Sequence, residues 1–357
     1  MKRFCLYYSN ARIVLLLLAL CLCSSCSLLP EEERAFAVCL GVSRAGETWE
    51  VSVRLPTYAG AGEYLTVTAR GNSFGEAMTL LDASAPIRVH YGQVRLVLFS
   101  RALAETEDFA TVLADLGKLN EFRMAAYAAV TEDSVTEVMD ALQPETGMRL
   151  SKFLEVLMSS RMALGTVPDA RMGEILRCGT RQSPLLAALA LAPEEPVSPG
   201  LDASAGQAAA EGLSVQMAGA YLVGLDGRVQ GQLTAGEHQL LRLMQGKIKK
   251  GALSLGTGSV TILDSTACVT YDGGRAACAI RLRCKDAHLT DQELEAALAA
   301  DCGRVLAKLA AADCDALGLG RRRVTGCLDW PAWQAQAWPL AYPAIPWQVT
   351  VTLQNTA

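Results

Sequence analysis

Histidines, cysteines and paired acid–base groups are the side chains of this 357-residue chain that could do chemistry, and their spacing offers little of it. The three histidines, His90, His238 and His288, lie far apart. None has the His-x-x-x-His or His-Glu-x-x-His spacing that sets two imidazoles on one helix face around zinc. No serine is read as the nucleophile of a Gly-x-Ser-x-Gly elbow, and no glycine-rich turn has the spacing that cradles phosphates. Asp286 with His288 is the nearest approach to an acid–base pair. It stands just before a helix start, where such residues commonly serve turn chemistry alone. No catalytic residue and no metal site is therefore expected.

Cysteine chemistry is more informative. Lys2, Arg3 and Arg12 precede the apolar run Ile13–Leu22, and Cys23-Ser-Ser-Cys26 follows. A positive start, a short apolar middle and small residues before a cut are the three parts of a secretory signal. The run is about half of the roughly 20 residues needed to span a bilayer. Ser24 and Ser25 suit a signal peptidase groove, and Cys26 supplies a thiol that can carry diacylglycerol. The pattern resembles the lipobox of bacterial lipoproteins, with Cys23 where Leu is usual. Cleavage between Ser25 and Cys26 and lipidation of Cys26 are expected; an ordinary secretory signal cut near Ser25 is the alternative. A redox reading of Cys23-Ser-Ser-Cys26 needs a folded strand-to-helix setting that an apolar leader does not offer.

Of twelve cysteines, eight lie beyond Cys26, six of them between Cys268 and Cys327. Export permits disulfides. A three-residue hairpin loop at Asp272-Gly-Gly274 would set Cys268 opposite Cys278 on adjacent strands, which makes that pair a candidate bridge; free buried cysteines are the other reading.

The elements that position these groups follow from patterning. The chain is 51% hydrophobic and 19% charged, with a formal net charge of -5, so large cores are affordable and a basic nucleic-acid-binding face is not expected. Residues 1–25 read as the signal peptide and 26–34 as the lipidated cysteine and a polar tether. Residues 35–132 alternate strands and helices, including a capping box at Ser73-Phe-Gly-Glu76, and read as an N-terminal α+β domain. Residues 133–192 read as a helical middle region. The Pro/Ala/Ser/Gly-rich stretch 193–212 reads as a linker. Residues 213–357 read as a C-terminal α+β domain, with an Asp226-Gly227 hairpin, capping boxes at Thr234–Glu237 and Thr290–Glu293, and a final strand over 348–353. Trp330, Trp333, Trp338 and Trp347 read as anchors for that strand, with a ligand-stacking face as the alternative. Arg321-Arg-Arg323 reads as a solvated loop run. The expected fold class is multi-domain α+β, two to three mixed sheet-and-helix domains behind a lipoprotein signal.

Gly71-Asn-Ser-Phe-Gly-Glu-Ala-Met-Thr-Leu-Leu81, then Tyr91-Gly-Gln-Val-Arg-Leu-Val-Leu-Phe-Ser-Arg-Ala-Leu-Ala104 and Phe122–Val130, resemble the N-terminal region of the C-subunit lipoproteins of spore germinant receptors (the Ger(x)C type). Gln93 stands where that family usually has His. Ala218–Val223, Gly231–Lys249, Ala312-Asp-Cys-Asp-Ala-Leu-Gly-Leu-Gly320 and Val349–Asn355 are similar to the family's second half, although the usual Trp-Asp pair after the lipid cysteine is missing. The resemblance implies a three-domain α+β lipoprotein with no enzymatic activity and no cofactor beyond the diacylglyceryl cysteine and its acyl chains, such as palmitate. It also implies two integral membrane germinant receptor subunits as partners, and anchorage in the spore inner membrane. The rival reading is an extracytoplasmic solute-binding lipoprotein of an ABC transporter, which needs two similar lobes facing a cleft; the two halves here differ in strand and helix order.

Overall fold

The computed structural model describes residues 34–57, 64–85, 87–119, 121–143, 148–178, 181–193, 213–255, 258–272, 274–285 and 290–355. The signal, Ser25, Cys26, the 194–212 stretch and the Asp286–His288 pair lie outside the described residues. No described helix is long and apolar enough to cross a membrane.

The first half is built on an eight-stranded mixed sheet. Its strands are β2 (Cys39–Ala45), β3 (Thr48–Pro56), β4 (Tyr64–Gly71), β6 (Leu96–Ser100), β7 (Tyr127–Thr131), β8 (Leu185–Pro193), β9 (Leu213–Val223) and β10 (Val229–Leu233). They run in the order β10-β9-β8-β7-β6-β2-β3-β4. The four central strands, β8, β7, β6 and β2, are mutually parallel, and antiparallel hairpins flank them on both sides. A short parallel pair, β1 (Arg34–Phe36) with β5 (Arg88–His90), stands beside it.

Parallel strands need helical crossovers, and these cover both faces. On one face, Val97, Phe99, Ala128, Val130, Leu186 and Ala188 meet α1 (Phe74–Ser84), α3 (Asp108–Lys118) and α6 (Met172–Cys178). On the other, Leu96, Leu98, Tyr127, Ala129, Ala187 and Leu189 meet α4 (Val135–Ala141) and α5 (Leu150–Ala163). Successive residues of one strand thus enter opposite cores, as the two-residue pleat requires. A short helix, α2 (Arg101–Ala104), capped by Ser100, precedes α3, and the two are separated at Glu105–Glu107.

The second half packs α7 (Ala235–Met244) and α8 (Asp291–Ala311) against a four-stranded sheet. Its strands are β11 (Gly251–Leu255), β12 (Gly258–Asp272), β13 (Arg275–Lys285) and β14 (Trp347–Asn355), in that order. The turns α9 (Leu319–Val324), α10 (Trp330–Gln334) and α11 (Trp338–Ala341) lead into β14. Both capping boxes of this half form in full, since Thr234 and Thr290 each exchange bonds with their Glu three residues on. The first box is half formed: Ser73 caps Glu76, but Glu76 reaches back to the Asn72 amide. The expected multi-sheet α+β class is what the chain adopts.

Three expectations need correction. Residues 185–193 are a central strand of the large sheet and not the end of a helical region. Alanine and leucine favour helix intrinsically, but a strand buried on both faces also reads as an unbroken apolar run, and pairing to β7 and β9 decides between them. For the same reason the boundary at 213 does not separate two domains, because β9 and β10 complete the first sheet. The disulfide expectation fails on register. Asp272 pairs with Arg275, so two residues close the hairpin and not three, and Cys268 faces Ala279 while Cys278 faces Val269. A one-residue slip puts side chains on opposite faces: Cys268 is exposed, Cys278 is buried, and both are free.

Candidate functional site

His90, expected to be non-catalytic, is held in a turn. His90 Nδ1 accepts from the Gly92 amide at 3.2 Å, and its other nitrogen pairs with Glu121. The spacing Gly71-Asn-Ser73-Phe-Gly75 does match Gly-x-Ser-x-Gly and sits between β4 and α1, which the sequence reading passed over. Ser73 nevertheless has relaxed extended backbone (φ -143°, ψ 160°) and spends its hydroxyl on the Glu76 amide. A nucleophile elbow needs a strained turn and a base, and neither is present at Ser73 among the described residues.

The arginine run is not a solvated loop. Arg322 donates to the Val269 carbonyl, and Arg323 donates to Gln336 and lies 5.4 Å over the Tyr271 ring. Trp333 and Trp338 are buried and in ring contact, Trp347 packs against the same core, and Trp330 stays exposed. Trp333, Trp338 and Trp347 therefore anchor the C-terminal segment, as expected, and Trp330 does not share that core.

A cleft of about 450 Å³ opens where the two halves meet. Its walls come from α6 (Glu174, Arg177, Cys178), the segment Arg181–Leu185, α7 with its exit (His238, Arg242, Gln245, Lys247), and Ala316 with Arg321. Five cationic side chains, Arg177, Arg181, Arg242, Lys247 and Arg321, face two carboxylates, Asp169 and Glu174. Both carboxylates are engaged, Glu174 with Arg177 and Asp169 with Arg171. Burial lowers the Arg242 pKa, opposed by Asp169; burial and then Arg242 itself lower that of Lys247. The cleft is thus a region of uncompensated positive potential.

His238 stands in its wall, one turn into α7. Nδ1 lies 2.7 Å from the Gly165 carbonyl oxygen, and the next residue, Gln239, donates to the Leu164 carbonyl at 2.8 Å. A carbonyl only accepts, so Nδ1 carries the proton and Nε2 is left as an acceptor. That nitrogen is buried without a partner among the described residues. Burial first, then Arg242 and Lys247, push the His238 pKa down to about 4 against the Gly165 bond. The imidazole is therefore neutral when folded and ionises more readily when unfolded. The stability this contributes is full above about pH 6.5 and is lost as pH falls towards 4, on the order of 3 kcal/mol across the window. Denaturation in phosphate-free buffer at pH 7 and pH 4.5 should show that loss, and His238→Gln should flatten it; an equally steep loss in the variant would assign the acid sensitivity elsewhere.

Next to the cleft residues Ser183 and Ala316 stands a residue that sequence reasoning did not single out. Asp315 is fully buried, and its carboxylate accepts from the Leu319 amide at 2.9 Å and the Gly320 amide at 2.7 Å. Its own amide donates to Ser183 Oγ at 3.0 Å, and Ser183 returns a bond to the Asp315 carbonyl at 3.3 Å. Burial raises the Asp315 pKa, opposed by the Gly320 and Leu319 amides. Around it, the Leu225 amide donates to the Asp313 carbonyl at 3.0 Å and Tyr342 Oη to that of Cys314 at 2.7 Å. Gly320 sits so close to Trp338 that a Cβ there would stand 2.5 Å from its indole nitrogen and 2.7 Å from the Arg181 carbonyl oxygen. The only available signal was the Asp-Cys-Asp-Ala-Leu-Gly-Leu-Gly run itself, recognised above as a resemblance without a physical role.

Fold and site together define an α+β protein of two unlike main sheets, carrying a basic cleft at their junction and no described cluster of metal-ligating side chains. Residues 31–191 match the family described as the spore germination protein N-terminal domain. The recognition of a germinant receptor C-subunit type made from residues 71–130 is borne out over that span. Among solved structures the chain is similar to the crystal structure of the GerBC protein, with 14% identity, 89% of this chain and 97% of that chain covered, and a TM-score of 0.48. A comparison with curated protein sequences finds no match.

Proposed function

We propose that this chain is a non-catalytic, lipid-anchored subunit of a nutrient germinant receptor complex, held at the spore inner membrane through a diacylglyceryl group on Cys26 and working with two integral membrane subunits. The observation that carries the reading is the spore germination domain over residues 31–191. The lipobox-like Cys23-Ser-Ser-Cys26 supports the anchor. A solute-binding lipoprotein is disfavoured, because the eight-stranded and four-stranded sheets are not two similar lobes.

A single acyl chain holds a protein only marginally at a bilayer, whereas two hold it stably. Two chains on Cys26 would keep the folded body beside its membrane partners at high effective concentration. Cys26→Ala is expected to move the protein from the membrane to the soluble fraction or lower its level, and to slow nutrient-triggered germination, with the circular dichroism of the folded body unchanged. Membrane retention with full germination would mean that protein contacts alone hold it. Normal nutrient germination in a deletion strain without a paralogue would overturn the receptor reading as a whole.

A further inference from the structure

The basic cleft carries an inference that does not depend on the receptor reading. We propose that it binds a small phosphate-type oxyanion, inorganic phosphate or a phosphate monoester, between Arg242, Lys247 and Arg181, with His238 exchanging a proton with the bound anion.

Charge is the first observation. Among the described residues no carboxylate lies within ion-pair distance of Arg181, Arg242, Lys247 or Arg321, although all four line one cleft. Surface arginines usually find a carboxylate or spread into solvent, and here α7, the Arg181–Leu185 segment and α9 bring them to one concavity. Arg181 is held in place by the Trp330 ring, 5.3 Å from its guanidinium carbon. Such convergence costs electrostatic energy in the empty state, and a bound anion relieves it.

Unsatisfied buried groups are the second and independent observation. His238 is 0% exposed, and its Nε2 has no partner. Nδ1 is bonded to the Gly165 carbonyl, so Nε2 is the ring nitrogen left without a partner on a residue that lines the cleft. Arg242 adds a second buried unpartnered nitrogen, Nε, one turn further along the same helix. Buried polar groups are normally paired, and two of the six unpartnered buried side-chain atoms among the described residues belong to this one cleft wall.

The two observations together narrow the chemistry. A neutral His238 presents an acceptor, while the surrounding arginines and lysine present donors only. An oxyanion that still carries a proton satisfies both, because its O–H donates to Nε2 while its remaining oxygens accept from Arg242 and Lys247. If the proton passes to Nε2, the imidazolium donates to the anion instead, and the charge balance is unchanged. Dihydrogen phosphate and singly protonated phosphate monoesters lose such a proton near neutrality and fit; sulfate has no such proton. The charged groups acting on His238 are Arg242 and Lys247 from α7 and its exit, and Asp169 and Glu174, which line the same cleft, act on Lys247.

The test uses the full-length lipoprotein in detergent, titrated with inorganic phosphate, sulfate and a short-chain phosphatidic acid. Calorimetry gives affinity, and the imidazole resonances report on His238. Saturable phosphate binding is expected, at least tenfold tighter than sulfate. The His238 resonance should titrate at least one pH unit higher when phosphate is present. Arg242→Gln should weaken binding at least tenfold, and His238→Gln should remove the preference over sulfate. Arg321→Gln, on the exposed rim, should weaken binding a few-fold with no change in folding, and guards against a variant that fails to fold. Phosphatidic acid binding tenfold tighter than inorganic phosphate would assign the source to a lipid headgroup, and equal affinity would assign it to free phosphate. No saturable binding of either, or binding indifferent to Arg242 and Arg321, would overturn the proposal.

Discussion

Asp315→Ala is expected to destabilise the protein by about 3 kcal/mol. The substitution leaves the Leu319 and Gly320 amides buried without an acceptor, and each such orphan costs roughly 1–3 kcal/mol. Removing a carboxylate that burial already disfavours returns part of that cost, as the upward shift of its pKa indicates. Asp315→Asn keeps one acceptor at nearly the same volume and should lose about half as much. Chemical denaturation followed by tryptophan fluorescence checks both, because Trp338 packs directly on this turn. A loss under about 1 kcal/mol in the alanine variant would show that the carboxylate does not organise the Asp313–Gly320 turn.

Gly219→Ala should do comparable or greater damage by a different route. Ala188 pairs with Gly219 but Leu189 with Met217, so β9 bulges at Ala218. Gly219 sits at φ +114°, where a side chain is strained whatever the space. A Cβ there would also overlap the Leu233 carbonyl oxygen and lie 2.7 Å from the Thr234 carbonyl carbon and 2.9 Å from the Ala235 nitrogen. Those are backbone atoms at the capped start of α7, which cannot step aside as a side chain could. Strain of roughly 1–3 kcal/mol and overpacking of a similar size add to about 4 kcal/mol. Equilibrium unfolding measures the sum. Hydrogen exchange should place the added opening in α7, the helix that carries His238 and Arg242; a stability within about 1 kcal/mol of the parent would show that the bulge relaxes freely.

What was legible in the sequence is the part written in local chemistry. Thr234–Glu237 and Thr290–Glu293 name their helix starts because a hydroxyl and a carboxylate three residues apart satisfy each other's orphan amides, and both boxes form. The Asp226-Gly227 turn and the final strand were readable for similar reasons. What failed depended on distant partners. Leu185-Leu-Ala-Ala-Leu-Ala-Leu191 has helix formers throughout, and only the neighbouring β7 and β9 make it a strand. The Cys268–Cys278 pairing turned on one residue of hairpin length, a distinction that the run Asp272-Gly-Gly274 leaves open. Arg322 and Arg323 looked like a solvated run because their acceptors, the Val269 carbonyl and Gln336, are set by tertiary packing. The basic cleft was invisible for the same reason, since its cations come from segments as far apart as Arg177 and Arg321.

The place of β8 also governs how the chain may be divided. The family match ends at residue 191, and a fragment cut there would remove β9 and β10. β8, now an interior strand, would become the rim of the sheet. Its row of amides and carbonyls, set among leucine and alanine, would then be free to recruit any other strand, which is the ordinary route to aggregation. A cut after Leu233 keeps that rim covered by the β9–β10 hairpin, so the unit of heredity and the unit of solubility in this chain have different ends.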